Sequence, residues 1–367
     1  MPPADHKKEL SGLARSIDTL FRRGPVVVSS APEAPSGGVE APETGPDALS
    51  YAVSRFLEAD RGGREGLAEK VLAAAAALRE ETSLDELADA VGRLARAPGG
   101  THEGTPWALA RAVLTPGIAG RLAERLGSAR DERGHADLVT VCVRLGRDMA
   151  LALSDALSDT TDRFARRAYM DVMVQMGEDG IAVAEEMVED GRWFVVRNAA
   201  AVLGEIGGER AVGLLASALA HEDARVRREA LHALAKVGGE DAGQLVYGMI
   251  GDPDSDVRAA AAMAAGALRV PRALRPLLVL LEEERDPDVV VTVLHALGQL
   301  ADPAATPAIE KRAARSFFSR PPTDVRIAAY RALYSIRTPR AKRVLVGAAD
   351  DKDPRVRAAV RELLFQR

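Results

Sequence analysis

The sequence has little with which to build a disulfide, a secretion signal or a membrane span. Its one cysteine, Cys142, cannot form an internal disulfide, and the surrounding apolar run LVTVCVRLG favours a buried side chain over a reactive thiol. No stretch approaches the roughly 18 uninterrupted apolar residues of a membrane span. The first residues, MPPADHKKELSG, lack the basic-then-apolar pattern of a secretion signal. We therefore expect a cytoplasmic protein that does not bind a membrane.

The sequence also lacks the short motifs of common catalytic sites. It contains no HExxH zinc motif, no phosphate-binding P-loop and no GxSxG nucleophile elbow. Histidine is followed by glutamate at His102 and His221, in unlike sequence contexts, while His232 and His295 are flanked by Leu and Ala. We expect no catalytic residues, no cofactor and no metal site.

Charge is nearly balanced over the whole chain but unevenly distributed along it. The formal net charge of −5 argues against a general binder of polyanions. Residues 148–190 carry eleven acidic and three basic side chains, whereas residues 311–343 carry ten basic side chains and one acid. Three interpretations stay open: solvated outer faces, two electrostatic docking patches, or head-to-tail self-association between opposite ends.

Composition divides the chain into four segments. Residues 1–23 contain an amphipathic helix with Leu10, Leu13, Ile17 and Leu20 on one face. Residues 24–47 are rich in Pro and Gly and predict a disordered linker. Residues 48–103 are helical without a clear repeat, and residues 104–367 form a repeat array.

The array repeats one amphipathic helix. The segment 192–207, RWFVVRNAAAVLGEIG, aligns with five later segments whose matched valines are Val226, Val257, Val289, Val325 and Val356, at spacings of 31, 31, 32, 36 and 31 residues from Val195 onward. A second apolar helix follows each copy after a short break. Because one such helix pair is too small to bury its own apolar face, the pairs must stack. The sequence predicts an all-α solenoid, a superhelix of antiparallel helix pairs with a period of about 31 residues.

The segments DPDSDVRAA (252–260) and DPRVRAA (353–359) resemble HEAT-repeat proteins of the armadillo-type fold, in their short phycobilin-lyase-like form. The resemblance implies that the second helices line a concave surface. It favours a non-catalytic protein–protein interaction scaffold or adaptor with a protein partner. The alternatives are nucleic-acid binding through the basic residues 311–343, against which the acidic middle of the array argues, and a HEAT-like lyase or hydroxylase.

An acidic residue before the helix start and an arginine in its first turn recur along the array. They form either a structural ladder between repeats or a row that binds a ligand. Val290 replaces the arginine in one copy, so the row has a gap. The residues assigned to the ladder are Arg197, Arg227, Arg258, Arg326 and Arg357, with Asp256 and Asp324.

Two features interrupt the repeat and are candidates for partner binding. No other copy carries an equivalent of Trp193 and Phe194, which either fill a packing gap or form a contact surface. The spacing of 36 residues marks an insertion near ARSFFSRPPTD (314–324), which falls in the basic segment. The insertion and the basic segment add six candidates: Arg315, Phe317, Phe318, Arg320, Lys342 and Arg343.

Overall fold

The computed structural model describes residues 42, 44–60, 62–99, 105–314 and 321–365. The helix predicted within residues 1–23 and most of the linker predicted for 24–47 lie outside these residues. In the described ranges, α-helices and two short 3₁₀ turns are the regular elements, as the all-α prediction requires. None of the described helices is long and apolar enough to cross a membrane.

Contacts divide the chain into two units, Met1–Val183 and Ala184–Arg367. The division falls inside the helix Glu178–Val188. The boundary predicted between residues 103 and 104 lies within the first unit, beside residues outside the described part of the chain, and stays a prediction.

The first unit is a stack of helices around an apolar core. Phe56, Leu94, Leu122 and Met149 are among its fully buried side chains. Cys142 is also fully buried, and burial raises the pKa of its thiol to about 12. The helices of this unit are α1 (Pro46–Glu58), α2 (Arg64–Ala77), α3 (Glu80–Arg96), α4 (Pro106–Val113), α5 (Pro116–Ser128), α6 (Glu132–Leu145), α7 (Arg147–Asp159) and α8 (Arg163–Gln175), and α9 (Glu178–Val188) crosses the division.

The second unit consists of the predicted helix pairs. The first helices of the pairs are α10 (Trp193–Ile206), α12 (Ala224–Val237), α14 (Ser255–Ala267), α16 (Pro287–Leu300), α18 (Thr323–Ile336) and α20 (Pro354–Phe365). The second helices are α11 (Gly208–Leu219), α13 (Gly239–Gly248), α15 (Leu274–Glu283), α17 (Thr306–Ala313) and α19 (Pro339–Ala348), with 3₁₀ turns at Pro271–Ala273 and Pro303–Ala305. All six matched valines are buried, as the stacking of one-sided helices demands.

Each first helix packs on the first helix of the next pair. Glycine allows the closest of these approaches. A β-carbon on Gly204 would lie 2.7 Å from the Ala233 side chain, and one on Gly266 would lie 2.8 Å from the Ala296 Cα. Because Gly204 and Gly266 have no side chain, successive first helices can pack this closely.

The turn between the two helices of a pair contains a positive φ. In the first two pairs two successive glycines have it, Gly207 with Gly208 and Gly238 with Gly239. Later pairs have a single such residue twelve positions after the matched valine: Arg269 at 49°, Ala301 at 55° and Arg337 at 58°. A side chain with a β-carbon is strained at these φ values, so each of the three positions would favour glycine.

We expect Ala301→Gly to raise the free energy of unfolding by about 0.5–1 kcal/mol, because glycine removes the strain of the left-handed turn at a smaller entropic cost. Chemical denaturation of both proteins measures this. The control is Ala358→Gly on the exposed face of α20, which should lower stability by about 1 kcal/mol. A loss of stability in both variants would contradict the strain at Ala301.

Candidate functional site

Arg227, in the first turn of α12, ties two successive turns of the stack together. Its Nε and Nη2 donate to the Asp252 carboxylate at 2.9 and 2.8 Å. Its Nη1 donates to the carbonyls of His221 at 3.0 Å and Glu222 at 2.8 Å. The carbonyls belong to the turn before α12 and the carboxylate to the turn before α14, so one guanidinium spans adjacent helix pairs.

The same arrangement recurs one pair later. Arg258 donates to the Glu284 carboxylate at 3.0 and 2.6 Å and to the carbonyls of Asp252 and Pro253, each at 3.0 Å. Arg326 donates to the Asp351 carboxylate and to the Ala313 carbonyl. We call these residues, with Arg357, the arginine row.

The acids that serve the arginine row differ from those assigned to it by sequence. Asp256 and Asp324 are exposed, and each accepts a hydrogen bond from an arginine outside the row, Arg228 at 3.1 Å and Arg355 at 2.7 Å. The acids that pair with the row lie five residues before the next matched valine: Asp252, Glu284 and Asp351. The order of charges along the sequence does not show which acids pair with the row arginines and which pair with arginines outside the row.

Two of the six first helices lack an arginine at the row position. The residue that follows the matched valine is Val196 in α10 and Val290 in α16, and both are buried. Arg197, which the sequence analysis placed in the row, lies one residue later. Its Nη2 donates to the Asn198 side chain at 3.0 Å, and its guanidinium lies 5.4 Å from the Trp193 ring centroid.

Trp193 and Phe194 lie beside the first of these gaps. The Arg225 guanidinium stacks 3.4 Å from the Trp193 ring centroid, and the Phe194 ring meets the Trp193 ring edge-on at 5.9 Å. Asp223 orients Arg225 through a bond of 2.6 Å, which holds the pKa of the Asp223 carboxyl at about 2. Trp193 begins α10 and Arg225 lies in the first turn of α12, so the stack joins successive turns where Val196 provides no guanidinium.

We expect Trp193 and Arg225 to be energetically coupled by about 0.5–1 kcal/mol, because each half-buried cation–π contact contributes about that much. A double-mutant cycle of Trp193→Ala and Arg225→Ala, followed by urea denaturation, measures the coupling. Strictly additive effects of the two substitutions would show that the stack contributes nothing to stability.

The other candidate residues from the sequence are distributed as follows. Lys342 and Arg343 are exposed on α19. Arg315, Phe317, Phe318 and Arg320 lie outside the described residues. Within the described ranges, no three His, Cys, Asp or Glu side chains are arranged to hold a metal ion.

The sequence did not predict a groove of about 610 Å³ that lies between the second helices α13 and α15. Tyr247 and Val279 line it, and Arg275 and Glu283 add charge. The Arg272 guanidinium lies 5.4 Å from the Tyr247 ring. A tyrosine in a chain with few aromatic residues was the one sequence signal for this surface.

Comparison with known proteins identifies the repeat class. The family of HEAT repeats matches residues 182–265 and 244–320. The predicted HEAT repeats are thereby confirmed for residues 182–320, and the fold is an all-α solenoid. The short phycobilin-lyase-like form of the repeat gains no support from this match and stays a prediction.

Two solved structures are similar to this chain over most of its length. An engineered protein is 16% identical with a TM-score of 0.38, covering 86% of this chain and 98% of its own. The karyopherin Kap121p, solved bound to the SUMO protease Ulp1p, is 14% identical with a TM-score of 0.47. That match covers 88% of this chain, which spans 41% of the karyopherin. No curated protein matches the sequence.

Proposed function

We propose that this chain is a non-catalytic protein-interaction scaffold that binds its partner along the second helices of its repeats. One observation carries the proposal: large apolar side chains are exposed on three second helices, with Tyr247 38% exposed on α13, Val279 53% on α15 and Val346 56% on α19. Exposed apolar side chains beside charged ones are typical of protein-binding surfaces, where aromatic and arginine residues supply most of the affinity.

The charges beside these side chains indicate the chemistry of the partner. Arg272 and Arg275 lie near Tyr247 and Val279, and Lys342 and Arg343 are exposed on the same helix as Val346. In the described part of the chain, none of these four cations forms an ion pair with a carboxylate. A partner that carries acidic side chains next to apolar ones would complement this surface.

Proximity labelling in the native host tests the proposal. We expect the wild-type chain to label a defined set of proteins, and Tyr247→Ser, Val279→Ser and Val346→Ser together to lose them. The matched control is Met263→Ser, which removes an apolar side chain, 43% exposed, from the first helix α14. Equal labelling by the wild type and the triple variant would overturn the proposal.

Nucleic-acid binding is the function that would replace the proposed role as a protein scaffold. A duplex or single-stranded oligonucleotide should show no mobility shift with the purified chain at low salt, where phosphate contacts are strongest. A shift that falls steeply with salt would favour nucleic acid as the ligand of the basic residues.

A further inference from the structure

The ends of successive second helices enclose recesses of comparable position but different charge. In the groove between α13 and α15, the row residue Arg258 is present and is neutralised by Glu284 at 2.6 Å. One pair later, between α15 and α17, lies a recess of about 450 Å³ that contains Val290 at the row position. We call it the Val290 recess.

At the Val290 recess, Arg312 makes part of the contacts that a row arginine makes in other repeats. Arg312, at the end of α17, donates to the Glu284 carbonyl at 3.1 Å and to the Leu281 carbonyl. The Glu284 carbonyl lies six residues before Val290, the same offset at which Arg258 bonds the Asp252 carbonyl. Arg312 therefore satisfies the carbonyl of the regular arrangement, and among the described residues no carboxylate pairs with it as Glu284 pairs with Arg258.

The recess is lined by three cations, one acid and several apolar residues. Arg285, Lys311 and Arg312 contribute the cations, Glu282 the acid, and Pro287, Pro321 and Pro322 the accessible apolar surface, while Val290 and Val325 are buried beneath it. The nearest acid, Glu282, lies 3.9 Å from Lys311, and both of these side chains are mostly exposed. Among the described residues, no carboxylate lies within ion-pairing distance of Arg285 or Arg312. Burial lowers the pKa of the Arg312 guanidinium, and the charges of Glu282 and Glu284 offset part of that shift.

We infer that the Val290 recess binds an acidic side chain of a partner protein together with an adjacent apolar side chain. The carboxylate takes the place of the acid that pairs with a row arginine in other repeats, and the apolar group packs against Pro287, Pro321 and Pro322. A volume of about 450 Å³ suits such a pair of groups. A bare phosphate would leave this apolar surface uncovered. This inference rests on the proposed function, because it assigns one anchor point to the proposed protein partner.

A small carboxylate with an apolar body is the probe. Saturation-transfer NMR with the full chain should detect 3-phenylpropionate at millimolar concentration and at least fivefold weaker binding of 3-phenylpropanamide, which lacks the charge. Arg285→Glu and Lys311→Glu together reverse two of the cations that line the recess, and should weaken 3-phenylpropionate binding at least tenfold because the carboxylate then meets like charges. As a matched control, Lys70→Glu and Arg133→Glu reverse two exposed cations of the first unit and should leave the affinity unchanged.

A thermal melt establishes whether the double variant is folded. If its melting temperature falls, Lys311→Glu alone replaces it, since that side chain is exposed, and should still weaken binding of the probe.

The inference is wrong if 3-phenylpropionate binds the double variant Arg285→Glu and Lys311→Glu as it binds the wild type, or if the amide or inorganic phosphate binds equally well. Binding that appears only after Phe317→Ala and Phe318→Ala would also overturn it, since the chain itself would then fill the recess. The proposed function fails separately, through the labelling experiment with Tyr247, Val279 and Val346, none of which the double variant alters.

Discussion

Replacing Arg227 by alanine should lower the free energy of unfolding by about 3 kcal/mol. The Arg227 and Asp252 side chains are only 12% and 5% exposed, so the substitution leaves a buried carboxylate without its cation. It also removes the hydrogen bonds to the carbonyls of the preceding turn. Urea denaturation of the wild type and the variant, followed through the helical signal, measures this difference in the free energy of unfolding.

The neighbouring residue provides the control. Arg228 pairs with Asp256 at 3.1 Å, but the two side chains are 43% and 71% exposed. Solvent screens an exposed pair, so Arg228→Ala should cost less than about 0.5 kcal/mol. Similar losses for Arg227→Ala and Arg228→Ala would show that the arginine row does not hold the repeats together.

The cost of losing Arg227 should depend on pH. Burial alone would raise the pKa of Asp252, but the hydrogen bonds from Arg227 and the Asp254 amide lower it below its usual value of 3.8. Stability from a carboxyl with a depressed pKa is present above the unfolded pKa and is lost as the pH falls through the folded pKa. The difference between wild type and Arg227→Ala should therefore be constant from pH 6 to 8 and should shrink below about pH 4. A constant difference down to pH 3 would contradict an ionised Asp252.

Replacing Gly204 by alanine should lower the free energy of unfolding by about 2 kcal/mol. The added β-carbon would lie 2.7 Å from the Ala233 β-carbon and 2.8 Å from its Cα, and backbone cannot move aside as a flexible side chain can. Helices α10 and α12 must then separate, which loosens the packing of both. Denaturation midpoints and a change in the melting temperature report the loss.

Gly213 is the matched control, because it is also helical and its added β-carbon would have no neighbour within 4 Å. Gly213→Ala should raise stability by about 0.5–1 kcal/mol, since alanine has the higher helix propensity. If Gly204→Ala is as stable as wild type, α10 and α12 do not depend on this close approach.

The valine spacing was sufficient to predict the helix pairs, because a buried face that repeats every 31 or 32 residues has few other solutions. It also predicted that arginines would recur in the first turns. It could not identify Asp252 and Glu284 as their partners, since acids two to four residues apart look equivalent in sequence but lie at different points of the turn. Nor could it pair Trp193 with Arg225, a contact between residues 32 positions apart that depends on a gap in the row.

The candidate surface was less predictable than the fold. Helical periodicity shows that a second helix has an apolar face, but it does not show that Tyr247 and Val279 extend beyond that face into a groove. Their exposure depends on the spacing of α13 and α15, which is a property of the stack. The sequence instead emphasised Phe317 and Phe318, which lie outside the described residues.

Photo-crosslinking in the native host tests the proposed interaction surface most directly. A photoreactive phenylalanine derivative is placed in turn at Tyr247, Val279 and Val346 on second helices, and at Met263 and His295 on exposed faces of first helices. The proposal predicts that the three second-helix positions form covalent adducts with the same protein and that the two first-helix positions do not. Adducts from Met263 and His295 alone would contradict it.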